Sequence, residues 1–201
     1  MSRSGEDVNV PRYGVVALAA SAGGITALGR VLGAFAIGFP VPVLVVQHLD
    51  PRHTTVIADV FGRRTGLPVR LAAHGEQIEA GTVYIAPPDR HLVVDPAGVL
   101  ALTVSAVVHF VRPSADVLFE SVADAFGPRA IACVLTGTGR DGATGLAAVM
   151  TQGGTTIVQD PASAEFRAMP EAAVAAGPVD HVLPLDEIGR FIRGLVEAGA
   201  S

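Results

Sequence analysis

The chain has 201 residues, half of them hydrophobic, and a formal net charge of −5. That length and apolar content support one sizeable buried core and exclude a low-complexity, disordered chain. The acidic balance, with no Lys/Arg cluster, excludes a nucleic-acid footprint, and the single cysteine, Cys133, excludes an internal disulfide.

Aromatic residues make up 5% and there is no Trp, so the core is built from Val, Ile, Leu and Ala. That is the composition of parallel sheets covered by helices on both faces. The run "VVALAASA" imitates the apolar part of a secretory signal, but two acids precede it and the run is too short. Arg30, several glycines and Pro40 interrupt it before the ~20 residues a membrane helix needs. A cytoplasmic protein is expected, and a lone cysteine fits a reducing compartment.

In chain order, residues 1–12 read as a flexible tail and 13–201 as a single domain. Short runs rich in β-branched residues predict strands at 13–19 and 41–47, with a helix at 24–36 between them. A helix at 54–65 leads to strands at 68–72 and 82–86. "HLVVDPAGVLALT" (91–103) then places two alternating runs around Asp-Pro-Ala-Gly and predicts an antiparallel hairpin. Beyond it come a helix at 114–126 capped by Ser114, a strand at 130–136 and a helix at 142–152. The chain ends with a strand at 155–159, a helix at 163–176 that Pro170 is expected to split, a strand at 181–184, and a helix at 186–198 capped by Asp186. The alternation predicts an α/β fold: a doubly wound, mostly parallel sheet with helices on both faces and one antiparallel hairpin.

Such sheets bind ligands at the carboxyl ends of their strands, so the loops after the strands are where chemistry is expected. After the first strand, "ALAASAGGITAL" (17–28) surrounds Ser21 with alanine and glycine. Ala-x-Ser-x-Gly is close to the nucleophile elbow, in which small neighbours let a hydroxyl stand exposed on a strand-to-helix turn; a serine that merely caps the helix is the alternative. After the second strand, "QHLDPRH" offers His48. Asp50 and His53 lie nearby, but their spacing matches no zinc pattern, and His53 reads as a polar loop residue. After the strand at 130–136, "GTGRDGATGL" contains Gly137, Gly139 and Gly142 in G-x-G-x-x-G spacing, with Asp160 near the place of a ribose-binding acid. That is the dinucleotide alternative. Asp141 inside the loop counts against it, because it would repel a pyrophosphate. Asp141 can instead orient a histidine, or cap the helix that follows. Ser21, His48 and Asp141, each at the carboxyl end of a different strand, form a candidate Ser-His-Asp triad.

The chain resembles the catalytic domain of CheB-type chemotaxis methylesterases. The likeness rests on "ASAGG" (20–24), "VVQH" (45–48), "VYIAPPDRHL" (83–92), "RPSADVLFES" (112–121), "LTGTGRDGATGL" (135–146) and "QDPASAEFRAMPEAA" (159–173). The resemblance implies that Ser21 is the nucleophile, His48 the general base and acid, and Asp141 the orienting carboxylate. It implies hydrolysis of glutamate methyl esters on cytoplasmic helices of chemoreceptors and, by the same chemistry, glutamine deamidation, with no cofactor and no metal. The backbone of Ala22 and Thr138 is the expected source of oxyanion donors, where some relatives carry threonine and methionine. The resemblance also implies an amino-terminal receiver domain, for which this sequence has no counterpart. The site is therefore expected to be constitutively open, governed by a separate response-regulator partner, or used in another signalling pathway. An inactive binding module on the same scaffold is the remaining alternative. Arg112 and Ser114 read as crevice residues or as a cap with a surface charge, His91 as structural, and Cys133 as an inert core thiol.

Overall fold

The computed structural model describes residues 12–48 and 56–199. The tail at 1–11, Asp50, His53 and the start of the 54–65 helix lie outside the described residues. Parallel strands β1 (Val15–Ala20), β2 (Val43–Gln47), β3 (Val69–Leu71) and β4 (Val83–Ile85) build one half of a seven-stranded sheet. Strands β7 (Ala130–Val134), β8 (Thr155–Gln159) and β9 (His181–Leu183) build the other. The spatial order is β3-β4-β2-β1-β7-β8-β9. Antiparallel β5 (His91–Val94) and β6 (Leu100–Thr103) form the expected hairpin, with Asp95 accepting the Ala97 and Val99 N–H groups in its turn.

Both sheet faces are apolar because alternate residues of each strand go to opposite sides. Val16, Leu18, Val45, Ile131, Cys133 and Ile157 pack under α1 (Gly24–Leu32), α2 (Ile57–Gly62) and α6 (Leu185–Ala198). Val15, Ala17, Val46, Ala132, Val134 and Val158 pack under α3 (Ala115–Phe126), α4 (Ala143–Thr151), α5 (Ala168–Ala176) and the hairpin. Cys133 is fully buried, and that burial pushes its thiol far above the ordinary range, as an inert core cysteine requires.

Two details correct the sequence reading. Pro170 does not split a helix. The segment 161–163 is a separate short 3-10 turn, and α5 starts only at Ala168, so Pro170 falls in its first turn, where a missing N–H costs nothing. Asp186 does not cap α6: the cap position is Pro184, and Asp186 lies inside the first turn, paired with Arg30 at 2.7 Å. No helix among the described residues is long and apolar enough to cross a membrane.

Candidate active site

The chain reverses its direction of travel across the sheet between β1 and β7: β1 leads by α1 to β2 on one side, and β7 by α4 to β8 on the other. Loops diverge at such a switch point and leave a crevice. Ser21 follows β1, His48 follows β2, and the loop with Asp141 follows β7, so three neighbouring central strands deliver all three side chains to it.

Ser21 stands on a turn held from below. Its N–H donates to Thr136 O at 3.0 Å, and its carbonyl accepts from the Gly24 N–H at 2.9 Å and from Gln47 Nε2 at 2.8 Å. Gly23 supplies the left-handed turn residue at φ 74°. The absence of bulk around Ser21 follows from close approach. A Cβ on Gly137 would meet Met169 Sδ and lie 2.8 Å from the Ser21 Cβ; one on Gly24 would meet Gln47 Oε1 and lie 2.7 Å from the Ala20 Cβ. Gln47 Oε1, buried without an N–H or O–H partner, thus faces the Gly24 α-hydrogen, a weak C–H···O contact.

His48 is fixed at both ends. Its N–H donates to Ala20 O at 3.1 Å, prolonging the β1–β2 ladder, and its carbonyl accepts from Gln47 Nε2 at 3.0 Å. Its ring Nε2 lies 2.8 Å from Asp141 Oδ2. Asp141 is buried and also accepts from Ser114 Oγ at 2.7 Å, from the Ala115 N–H at 2.6 Å and from the Asp116 N–H at 3.1 Å. These last three donors are the N-terminus of α3, whose unpaired N–H groups and dipole favour an anion. Burial alone would raise the Asp141 carboxyl, but the bonds from His48, Ser114 and the two amides outweigh it and hold it below the ordinary carboxylate range. An ionised Asp141 accepts only, so Nε2 carries the proton and Nδ1 is left as the acceptor.

Ser21 and His48 line one cavity of about 450 Å³ with Ala22, Gly23 and Glu165. The Ala22 N–H has no hydrogen-bond partner among the described residues, whereas the Ser21 N–H is engaged. Thr138 is exposed and lines a neighbouring cavity that shares His48 with the first. The G-x-G-x-x-G glycines shape the loop that carries Asp141. Gly137 makes room for Ser21, Gly139 (φ 90°) turns the chain, and Gly142 (φ 92°) packs against Ala115 and Val134. Gly142, not Asp141, occupies the cap position of α4. Asp160 caps the turn 161–163 through the Ala162 N–H.

Of the secondary candidates, Ser114 both caps α3, accepting the Val117 N–H at 3.4 Å, and holds Asp141. His91 is buried and structural, accepting the Ser114 N–H on Nδ1 and bonding Ala106 O through Nε2. Arg112 pairs with Asp89. Sequence reasoning missed Gln47, Thr136 and Asp116. Thr136 is buried, and its hydroxyl donates to Ala22 O at 3.1 Å and accepts the Phe166 N–H at 2.9 Å. For Gln47 and Thr136 the available signal was a polar residue closing the apolar runs 41–47 and 130–136; Asp116, in the first turn of α3, carried no such signal.

The chain matches the model of the CheB methylesterase family over residues 16–192. Over 93% of its length it is 44% identical to protein-glutamate methylesterase FrzG of Myxococcus xanthus, of which it covers 56%. It is 36% identical to a putative protein-glutamate methylesterase/protein-glutamine glutaminase of Leptospira interrogans, covering 90% of this chain and 94% of that one. The crystal structure of the Thermotoga maritima CheB methylesterase catalytic domain is similar with a TM-score of 0.87 at 33% identity, over 92% of this chain and 99% of the other. With the family model matched over most of the chain and relatives above 30% identity, the chain belongs to the CheB methylesterase family.

Proposed function

We propose that the protein is a serine hydrolase that removes methyl esters from glutamate side chains of chemoreceptor cytoplasmic helices. The observation that carries this reading is the buried Asp141 at 2.8 Å from His48 Nε2, with His48 sharing a cavity with Ser21. Ser21 Oγ attacks the ester carbonyl while His48 Nδ1, the ring nitrogen that the bond to Asp141 leaves unprotonated, takes the hydroxyl proton. Asp141 stabilises the imidazolium. The Ala22 N–H, at the start of the turn into α1, receives the oxyanion. His48 returns the proton to departing methanol, and water, deprotonated by the same nitrogen, cleaves the glutamyl-serine ester to a free carboxylate. A glutamine amide enters the same sequence and releases ammonia, and deamidation is the second activity we propose. The receptor helices place the protein in the cytoplasm, and a separate response-regulator partner would act by covering this cavity.

The test is covalent labelling by a serine-directed phosphonate together with methanol release from a methylated receptor cytoplasmic domain. Labelling at Ser21 that is lost in His48→Ala, with methanol release that is lost in Ser21→Ala, is expected. A Ser21→Ala protein of near-normal turnover overturns the triad. Activity that a response-regulator protein leaves unchanged identifies an open site, whereas latency relieved by one identifies a switched site.

A further inference from the structure

Beside the candidate site, Val108 and Val111 pair through both of their N–H···O bonds, at 3.2 and 2.9 Å. The two residues between them, His109 (φ 48°) and Phe110 (φ 65°), are both left-handed. That is the geometry of a two-residue hairpin loop that glycine and asparagine favour. A bulky aromatic residue there is an outlier. Phe110 is also 98% exposed, and Val104 and Val107 are exposed on the segment leading to it. Its side chain buries nothing in its own fold.

The loop is nonetheless tied down. His109 Nε2 lies 3.1 Å from Oδ2 of the buried Asp116, at the start of α3. Arg112 donates to Val104 O and Ser105 O at 3.2 and 2.9 Å, and to Asp89 Oδ1 through Nε at 2.9 Å. Phe110 lines two cavities, and His48 lines both. A strained, exposed and tethered aromatic on the His48 side of the crevice is a preorganised contact awaiting an apolar partner.

We infer that Phe110 determines specificity for the protein substrate by packing against an apolar side chain next to the esterified glutamate. This rests on the methylesterase reading above. On a helix, such a neighbour stands three or four residues from the reacting side chain. A small ester, which has no such neighbour, gains nothing from the contact.

The test compares kcat/KM for methanol release from a methylated receptor cytoplasmic domain with kcat/KM for p-nitrophenyl acetate. Wild type, Phe110→Asn, which suits the left-handed backbone, and Phe110→Tyr, which keeps the ring, are each measured on both. In Phe110→Asn the receptor-to-small-ester ratio is expected to fall at least tenfold, through the receptor KM, with Phe110→Tyr restoring most of it. A fall of less than threefold, or an equal loss on both substrates, overturns the role of Phe110 alone. Wild-type protein that cleaves the small ester and releases no methanol from the receptor overturns the methylesterase reading and this inference with it.

Discussion

Ser114 Oγ donates to Asp141 Oδ1 at 2.7 Å while accepting the Val117 N–H, so one hydroxyl joins the start of α3 to the partner of His48. Ser114→Ala removes both bonds. It is expected to lower stability by about 1–2 kcal/mol, as loss of an N-cap does, and to lower kcat on the order of tenfold with KM little changed. Denaturant titration and steady-state kinetics on the same preparation separate the two effects. A loss of stability with kcat intact would leave Ser114 a cap only.

Asp141→Asn replaces an oxygen that accepts with an amide that can only face other donors. The expected cost is about 2–4 kcal/mol, with turnover down on the order of a thousandfold or more. The pH dependence has a definite sign. The folded-state carboxyl lies below its unfolded value, so its contribution is present above about pH 4 and is lost as pH falls through the folded value. The stability gap between wild type and Asp141→Asn should therefore be widest near neutrality and close toward acid. A gap that widens as pH falls would contradict the network.

Gly137→Ala should damage the site more than the fold. Met169 Sδ is a flexible end that can retreat, but the Ser21 Cβ, 2.8 Å from the new methyl, is fixed to the turn. Overpacking of this kind costs about 1–3 kcal/mol. Adding Met169→Ala is expected to recover much of that stability while turnover stays at least a hundredfold down. Recovery of both together would show that Met169, not Ser21, takes the strain.

Gln47→Glu tests the strut beneath the crevice. Gln47 Nε2 donates to the carbonyls of both Ser21 and His48, and an ionised carboxylate would set acceptors against acceptors. The variant should be about 2–3 kcal/mol less stable than wild type at neutral pH and should regain part of that as acid protonates the new side chain. Thermal melts across pH 4–8 decide it, and an unchanged gap across that range would remove Gln47 from its supporting role.

The fold was largely legible because strand and helix periods are local. Apolar alternation around Asp95–Gly98 and the β-branched runs of β1, β2 and β7 placed those elements within a few residues of where they lie. Ser21, His48 and Asp141 stood out as candidates because loops at the carboxyl ends of strands are few, and the structure sets His48 against Asp141 and in one cavity with Ser21. Their supports did not stand out. The bond from Ser114 to Asp141 joins residues 27 apart, and that from Thr136 to Ala22 joins residues 114 apart. Neither is written in any local pattern.

Because the reactive side chains hang from β2, β1 and β7, the innermost members of the sheet, they share the fate of its most protected backbone. Heat should therefore abolish the proposed activity and melt the tertiary structure at one temperature. Fraying of β3 or β9 at the margins should leave catalysis running.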